Sequence, residues 1–350
     1  MKILLLEYFT AIPSRSVDPA LRSEGGAMRD AVAVDLARVP GAGVTVLHRP
    51  GLAPPRAPGL SGRSVTQDPE AVLAAQAGRF DAALLIAPED GGTLERLSRV
   101  VRRTGCRLLG PGPEAVCFAA DKLRTARILR AHGIATPRTS TLRLDRRTPG
   151  RLLVRPLPFV LKPRDACGCQ GISWVAHARE IAPALRRLRR ATGRHEALVQ
   201  ECVTGVDASV SLIAFRDRIL PLALGRQRLS KAGAFVYQGG RVPFRSRSAR
   251  RAIELAVRAA GALAVASGDL TGFLGVDLVL GRQGPVVIEI NPRITTSYIG
   301  LRQIAATNLG SLILRAGRGA GCPAAPRLRG ACDYEAGGRC RPHGRPAANG

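Results

Sequence analysis

The sequence predicts a protein of mixed α/β and α+β class, and two observations carry that prediction. Early in the chain, short apolar runs that fit buried strands alternate with amphipathic helical stretches, the pattern of a parallel sheet. Later, strand-like runs follow one another directly at 198–201, 208–215 and 219–224, as expected for antiparallel pairs. A chain of 350 residues exceeds one ordinary core, so two or three packed units are expected.

Three apolar runs fit the buried strands of the first unit: Lys2 to Glu7, Val44 to Leu47 and Ala82 to Ala87. Helices are predicted at 27–38, 70–77 and 94–103, and the stretch 49–69, rich in Pro, Gly and Arg, is predicted as loop. Ligands of parallel sheets bind beyond the carboxyl ends of the strands. The loops after Glu7 and after Ala87 are therefore candidate substrate loops.

Pro and Gly residues that interrupt regular structure, and changes in composition, indicate the predicted domain limits. One helix is predicted from Glu114 to His132, after the break at Pro111-Gly112-Pro113. From Gly319 the chain is rich in Gly, Pro and Arg without periodicity, which predicts a disordered, dispensable tail. The predicted units are an N-terminal α/β domain, a small and a large α+β subdomain, and the tail, at 1–113, 114–196, 197–318 and 319–350.

The chain is strongly basic, with 53 Lys and Arg against 26 Asp and Glu, a net charge of +27. Such an excess raises nucleic acid or an anionic membrane as a partner. Only four of these basic residues are lysines, the arginines are spread along the chain, and no recognised nucleic-acid-binding motif occurs. The charge therefore indicates coding bias towards Arg, and nucleic acid is not expected as substrate. A phosphate-rich small ligand is compatible with it.

The cysteines and the absence of a targeting segment predict a cytoplasmic protein with reduced thiols. Eight cysteines occur at irregular spacings, no secretory signal precedes them, and no apolar stretch approaches the ~18–20 residues of a membrane span. Neither Cys167-x-Cys169 nor the tail cysteines with His343 fit a usual zinc pattern. The oligomeric state, a homo-oligomer included, stays open.

The most informative stretch is a predicted β-hairpin, 275–280 and 286–291, with acidic residues on both strands. A three-residue turn at 282–284, its glycine left-handed, places Asp277 opposite Glu289. Gly275 then faces Asn291. A slip of one residue would mix the polar and apolar faces. In this register six apolar side chains share the other face: Val276, Leu278, Leu280, Val286, Ile288 and Ile290.

Two like charges directly opposite each other destabilise a sheet. The arrangement becomes favourable if a hard cation lies between them, and Mg²⁺ prefers a few carboxylate oxygens plus substrate phosphates. Asp277, Glu289 and Asn291 are therefore candidate ligands of Mg²⁺, with Mn²⁺ as an alternative. A solvated hairpin face that happens to be acidic is the competing interpretation, and the hairpin alone leaves it open.

Two of the four lysines fall where they could bind phosphate. Lys122 lies early in a predicted helix, and Lys162 ends an apolar strand. Lysine is a compact point charge and a usual phosphate ligand. The loop after Lys162 contains small residues, among them Gly168 and Gly171, which let backbone N–H groups approach phosphate oxygens. Surface lysines and a filler loop are the competing interpretations.

The strand that ends at Gln200 and Glu201 is followed by Gly205 and Asp207. A chain leaving a strand there can offer its backbone to an adenine edge, and a nearby acid can bind ribose hydroxyls. An ordinary polar strand end explains the same residues equally well.

Together these features resemble the ATP-grasp superfamily of ligases over about 115–315. The N-terminal unit resembles the domain that precedes the catalytic fold of such ligases, and the resemblance implies a two-subdomain ATP-grasp fold after it. The Cys-bearing loop after Lys162 departs from the usual Gly/Ser-rich loop. The matching segments, in order, are Asp121-Lys122, Gly133-Ile-Ala-Thr-Pro137, Leu161-Lys162-Pro163, Gln200-Glu201 with Gly205, Asp277, and Glu289-Ile-Asn291-Pro-Arg293.

Shorter segments are most similar to the tyramine–glutamate ligases of methanofuran biosynthesis and their bacterial relatives. This similarity implies glutamate as the acid and tyramine or tyrosine as the amine. Glu24, Glu89 and Asp90, in the candidate substrate loops, could pair with an ammonium, and helix capping by Glu24 and Asp90 is the alternative. The similar segments are Glu7-Tyr8, Glu24-Gly25-Gly26-Ala-Met28 and Asn291-Pro-Arg-Ile-Thr-Thr-Ser-Tyr298.

The family resemblance also implies a mechanism. A substrate carboxylate would take the γ-phosphate of Mg-ATP to give an acylphosphate, and an amine would then displace phosphate, which needs positioning and charge neutralisation. A nucleotide-binding regulator without activity and an RNA-associated protein are the alternatives. The implied roles are phosphate binding by Lys122, Lys162, Gly168 and Gly171, adenine binding by Glu201 and the backbone at Val203, ribose binding by Asp207, ATP binding by Gln200 without a more specific role, metal binding by Asp277, Glu289 and Asn291, and charge stabilisation by Arg293.

Overall fold

A computed structural model of the chain describes residues 1–14, 17–166, 168–230 and 235–343. Its strands form a parallel sheet of five strands and antiparallel sheets of four and seven strands. The predicted combination of a parallel α/β unit with α+β units is confirmed. No helix within the described ranges has both the length and the apolar character to cross a bilayer.

The parallel sheet has the order β3-β2-β1-β4-β5. Its strands are β1 Lys2–Glu7, β2 Gly43–His48, β3 Leu60–Ser64, β4 Ala82–Ile86 and β5 Arg107–Leu108. Its helices are α1 Tyr8–Ala11, α2 Pro19–Ala37, α3 Pro69–Gln76 and α4 Thr93–Arg103, with 3₁₀ turns at Ala77–Arg79 and Asp90–Gly92. Since β1 and β4 are parallel neighbours, the loops that follow them open at the same edge of the sheet.

Two elements of this unit differ from the prediction. Helix α2 begins at Pro19 rather than near residue 27, because the Asp18 side chain accepts the Ala20 N–H and proline suits a first helical turn. Strand β3 lies in the stretch predicted as loop. Four of its five residues are exposed, so it has no apolar alternation to reveal it.

The four-stranded sheet has the order β6-β9-β7-β8. Its strands are β6 Thr139–Arg143, β7 Phe159–Lys162, β8 Ser173–Val175 and β9 Glu196–Glu201. The helices of this part of the chain are α5 Pro113–Ala120, α6 Lys122–Ala131, α7 Thr148–Leu153 and α8 Ile181–Ala191, with a 3₁₀ turn at Ala178–Glu180. A small apolar core between the sheet and α8 includes Phe159, Leu161 and Leu185.

The single helix predicted from Glu114 to His132 is in fact the pair α5 and α6. Asp121 between them has extended backbone angles, φ −81° and ψ 97°, and its carboxylate accepts the N–H groups of Leu123 and Arg124. Arg164 binds the same carboxylate through Nε at 3.0 Å and Nη2 at 2.7 Å. The break places Lys122 at the first position of α6.

The seven-stranded sheet has the order β14-β13-β10-β11-β12-β15-β16. Its strands are β10 Gly205–Ala214, β11 Ile219–Ser230, β12 Val236–Val242, β13 Gly272–Gly281, β14 Gly284–Asn291, β15 Ala331–Glu335 and β16 Cys340–His343. Its helices are α9 Ala249–Ser267, α10 Ser297–Ile304 and α11 Leu309–Gly317. Helix α9 packs through buried alanines such as Ala252 and Ala256. A second core joins α10 and α11 to α2 through Leu36, Tyr298 and Ile313.

The segment 331–343, predicted as part of a disordered tail, forms two strands of this sheet. Strand β15 pairs with β12, and β16 pairs with β15. Cys332 and Tyr334 are the buried side chains of the hairpin. Two inward side chains, two residues apart, are too few to form a recognisable strand pattern in the sequence. The prediction of disorder is wrong here. Residues 344–350 of the predicted tail lie outside the described ranges.

Tyr334 anchors the C-terminal hairpin and is 1% exposed. A Cβ atom at Gly300, in α10, would lie 2.6 Å from Cδ1 of the Tyr334 ring, so the ring occupies space that only glycine leaves. Arg228 Nη2 donates to the Tyr334 carbonyl at 2.8 Å. Ladder hydrogen bonds, one guanidinium and one packed ring therefore hold the hairpin on the sheet.

The substitution Gly300→Ala tests this packing. We expect it to lower the free energy of unfolding by about 1–3 kcal/mol, because the added methyl group overpacks against the Tyr334 ring. Gly261→Ala, in α9, is the matched control: no atom lies within 4 Å of a Cβ there, and alanine should stabilise the helix by ~0.5–1 kcal/mol. Urea unfolding measures both. Wild-type stability of Gly300→Ala would contradict the seating of Tyr334.

Candidate active site

A cavity of about 700 Å³ lies between the four-stranded and seven-stranded sheets, with α2 at one side. Three predicted site residues, Lys122, Glu89 and Asp90, are not part of its lining. Lys122 and Glu89 each contact a residue of the lining, Glu289 and Arg293 respectively. The structure thus brings most of the predicted site together, and the predicted residues in the lining are Glu24, Lys162, Gly168, Gly171, Gln200, Glu201, Val203, Asp207, Asp277, Glu289, Asn291 and Arg293.

The carboxylate hairpin has the predicted register at its functional end. Asp277 faces Glu289, and Gly275 faces Asn291. The predicted turn is wrong. Gly281 pairs with Gly284, so the turn has two central residues, and Gly284 has φ +135° rather than a left-handed helical conformation.

The turn is one residue shorter than predicted, so β14 contains one extra residue. A register shift opposite Asp277 and Leu278 accommodates this residue as a bulge. Beyond it the faces of β14 exchange. Val287 is fully buried and its N–H donates to the Ala135 carbonyl at 2.9 Å, whereas Ile288, predicted on the core face, lines the cavity. The segment around Ala135 therefore determines where the hairpin bends.

Asp277 is surrounded by side-chain donors. Gln227 Nε2 and Asn291 Nδ2 donate to its two carboxylate oxygens, each at 3.1 Å. Burial, and then the charge of Glu289, raise the pKa of Asp277 to about 6. The charge of Glu289 thus adds to burial in disfavouring the ionised form of Asp277.

Glu289 receives the compensating charge from lysine. Lys122 Nζ lies 2.6 Å from Glu289 Oε2. Burial opposes ionisation of Glu289, but Lys122, Lys162 and Arg293 together hold its pKa below the ordinary value. The first position of α6 therefore contributes to the site through Glu289.

Lys162 is 2% exposed, and its Nζ donates to Gln200 Oε1 at 2.9 Å. Gln200 Nε2 in turn donates to Thr139 Oγ1 at 2.9 Å. Burial, and then the charge of Lys122, lower the pKa of Lys162 to about 7. Gln200, predicted as an ATP-binding residue, thus orients the amine of Lys162 in this structure.

The loop after Lys162 has an unusual backbone. Gly168, Cys169 and Gly171 have φ values of +62°, +66° and +70°. Burial, and then the charges of Glu289 and Asp277, raise the pKa of Cys169 to about 12, so its thiol stays protonated. The loop therefore faces the carboxylate pair. Cys167 lies outside the described residues.

The connection from β9 to β10 forms the other side of this end of the cavity. Glu201, Val203 and Asp207 all line it. Glu201 Oε2 accepts the Arg138 N–H at 3.3 Å, and Asp207 lies opposite Val279 of β13. This connection therefore contributes two carboxylates to the lining of the cavity that Lys162 also lines.

Two acids of the N-terminal unit contact the segment that follows Asn291. Glu89, itself buried, lies 2.8 Å from Arg293 Nε, and Glu24 accepts a hydrogen bond from Thr296 Oγ1. Glu24 lies inside α2, so it is not a helix cap. Asp90 lies in a 3₁₀ turn and does not line the cavity. The N-cap of α4 is Gly92, without a side-chain hydrogen bond, so capping does not explain Asp90 either.

Sequence reasoning missed several supporting residues. Arg164 bridges Asp121 and Glu196, at 2.7 and 2.6 Å. Gln227 and Thr296 contact Asp277 and Glu24. Their positions depend on pairings between distant strands, and no local pattern could have found them.

The donor set fits a hard divalent cation. Asp277, Glu289 and Asn291 offer oxygen atoms from two adjacent strands, and burial and then the charge of Glu289 raise the pKa of Asp277. Two carboxylates and one amide are few protein ligands, which suits Mg²⁺ shared with phosphates. Among the residues that the structure describes, no group of three or more His, Cys, Asp or Glu side chains could hold a metal. In the described part of the tail, the cysteines and His343 form no metal site.

Buried lysines, a positive-φ glycine loop and a carboxylate hairpin, set between two antiparallel units that follow a parallel sheet, define a nucleotide-dependent enzyme fold. The chain belongs to the ATP-grasp family: the ATP-grasp domain matches residues 119–297, just over half of it, and the pre ATP-grasp 3 domain matches residues 44–116. ATP and Mg²⁺ are the cofactors of this family.

The chain is similar to the tyramine–L-glutamate ligase of Methanocaldococcus jannaschii, with 29% identity over 223 residues, 64% of this chain and 59% of that protein. It is 28% identical to the D-alanine–D-alanine ligase of Pseudomonas fluorescens over 148 residues, 42% of this chain and 44% of that one. The chain thus spans less than two thirds of these relatives' length. A solved ATP-grasp superfamily protein from Archaeoglobus fulgidus superposes with a TM-score of 0.70 and 25% identity, covering 96% of this chain and 92% of that one.

Burial of Lys162 should appear in the pH dependence of stability. Unfolded, this lysine keeps its proton to about pH 10.5, whereas the folded protein releases it near pH 7. The unfolded state binds more protons in that window, so the free energy of unfolding should rise with pH between 7 and 10, by up to about 1.4 kcal/mol per pH unit.

Lys162→Met should remove that slope, and Lys2→Met, at an exposed position, should retain it. Urea unfolding at pH 7, 8 and 9 measures the three proteins. Parallel stability profiles for wild type and Lys162→Met would show that Lys162 titrates normally.

Proposed function

We propose that the protein is an ATP-dependent carboxylate–amine ligase, which forms an amide through an acylphosphate and releases ADP and phosphate. The observation that carries the proposal is the buried pair Asp277 and Glu289, with the positive charges of Lys122 and Lys162 acting on it. A regulator without activity would have no need for acids that destabilise each other. Both curated relatives are ligases by name, one for tyramine and L-glutamate and one for D-alanine and D-alanine.

The chain's own residues would hold the phosphates and the metal. Lys162, fixed by Gln200, and the loop that contains Gly168 and Gly171 would bind phosphate oxygens. Asp277, Glu289 and Asn291 would hold Mg²⁺, which when bound neutralises phosphate charge. An approaching phosphate would favour the protonated form of Lys162, so that amine would take up a proton on binding near neutral pH.

The nucleoside would lie at the connection from β9 to β10. Glu201 and the backbone at Val203 would bind adenine, and Asp207 would bind the ribose. Gln200 is better assigned to Lys162, since its side-chain oxygen and nitrogen are both engaged within the sheet.

Arg293 would stabilise the charge of the reacting carboxylate or phosphoryl group. It lines the cavity next to the metal hairpin, and Glu89 fixes its Nε. The ion pair is well shielded, with Arg293 16% and Glu89 7% exposed at the side chain. Glu89 therefore acts through Arg293 rather than on an ammonium.

Carboxylate removal tests the metal assignment. Asp277→Asn and Glu289→Gln should each reduce Mg²⁺-dependent ADP release by at least about a hundredfold, since each removes a metal ligand. Glu254→Gln, at an exposed position of helix α9, is the matched control and should keep wild-type turnover. Circular dichroism checks the fold. Near-normal turnover of either variant at limiting Mg²⁺ would refute the assignment.

The substrates are proposed to be glutamate and tyramine or tyrosine, joined through the glutamate side-chain carboxylate. Support comes from the similar tyramine–L-glutamate ligase and from Glu24, a carboxylate in the cavity that could pair with an ammonium. Incubation with Mg-ATP, glutamate and either amine should yield a γ-glutamyl amide by mass spectrometry. If a different acid–amine pair gives product and amine-stimulated ADP release while this one gives neither, the substrate assignment fails and the ligase class stands.

A further inference from the structure

The C-terminal hairpin reaches the cavity. Tyr334 of β15 and Ala336, just after it, line the cavity together with Tyr237 of β12. The hydroxyl oxygens of Tyr237 and Tyr334 lie 3.5 Å apart. The hairpin therefore contributes directly to a binding surface as well as to the sheet.

The turn of the same hairpin packs on the helix that carries Glu24. A Cβ atom at Gly338 would lie 2.6 Å from the Cβ of Ala27, and one at Gly337 would lie 3.4 Å from the Ser23 Oγ. Ser23 and Ala27 are neighbours of Glu24 along α2. The hairpin thus contributes Tyr334 to the cavity lining and packs on the helix that contributes Glu24 to the same lining.

The charge of this region suits a cation. Burial, and then the neighbouring Tyr334, raise the pKa of Tyr237 well above its ordinary value, with smaller contributions from the Glu24 and Asp277 carboxylates. Burial raises the pKa of Tyr334 to about 12. Both phenols therefore stay neutral, and their oxygens can accept hydrogen bonds beside a carboxylate.

We propose that the C-terminal hairpin forms one wall of the amine subsite, where the Tyr237 and Tyr334 hydroxyls, beside Glu24, bind the ammonium group of a primary amine substrate. The inference rests on the proposed ligase function and deepens it. An ammonium carries three donors and no acceptor, and the two phenol oxygens and the carboxylate offer acceptors to it.

Two nucleophiles that accept the acyl group, hydroxylamine and a primary amine, allow this inference to be tested separately from the ligase proposal. Hydroxylamine is a small nucleophile that traps an acylphosphate as a hydroxamate without an ammonium subsite. The probe amine is tyramine, or whichever amine of a panel of primary amines most stimulates ADP release. The quantity compared is amine-dependent kcat/KM divided by the rate of hydroxamate formation.

Tyr237→Phe and Tyr334→Phe should each lower this ratio about tenfold, mainly through the KM of the amine, because each removes one hydrogen bond to a charged group. Glu24→Gln should lower it further. Tyr298→Phe is the matched control. That tyrosine is also buried, but its hydroxyl donates to Asp35 at 2.8 Å, away from the cavity lining. It should lose stability and keep the ratio.

The outcomes are distinct. Absence of hydroxamate from wild type with glutamate and with other amino acids would overturn the ligase proposal. Hydroxamate formation with an unchanged ratio in Tyr237→Phe and Tyr334→Phe would overturn the amine subsite alone. If the enzyme forms hydroxamate but no amine in the panel stimulates ADP release, the proposed amine subsite is also contradicted. An equal fall of the ratio in Tyr298→Phe would show a general effect of lost packing.

Discussion

The structure of the site depends on two carboxylates held opposite each other on a buried hairpin. Asp277 and Glu289 disfavour each other's ionisation, and burial makes the repulsion stronger. Lys122 therefore comes from the start of α6 to Glu289 at 2.6 Å, which requires the chain to break at Asp121. The break is in turn stabilised by Arg164. One electrostatic constraint thus links the hairpin, the two helices and the loop after Lys162.

The same constraint reaches the N-terminal sheet. The segment after Asn291 follows the carboxylate hairpin. Its Arg293 contacts Glu89, and its Thr296 contacts Glu24. These acids lie beyond neighbouring strands of a parallel sheet, where such folds bind ligands. Because Glu89 fixes Arg293 and Glu24 stays in the cavity, the two predicted substrate acids differ in role. The first orients Arg293, and the second lines the cavity, where we propose that it meets a substrate.

The alternation of polar and apolar residues predicted those parts of the structure that neighbouring residues in the sequence determine. The alternation of side chains was sufficient to pair Asp277 with Glu289, because one slip would bury the acids among apolar residues. It failed at the turn, since the bulge at Ile288 lies next to Val287, whose N–H donates to the carbonyl of the distant Ala135. It failed also at Asp121, at the exposed strand β3 and at the tail. In each case the decisive contact lies far away in sequence, so propensity and period could not show it.

The tail shows why composition is a weak guide when one residue carries the packing. Residues 331–343 contain no Val, Ile, Leu, Met, Phe or Trp, yet Tyr334 fits against Gly300, and its strand extends an open sheet edge. A short, charged edge hairpin also protects the long strands beneath it from pairing with other chains. Because Tyr334 both fills this core and lines the cavity, the stability of the hairpin and the shape of the cavity depend on one side chain.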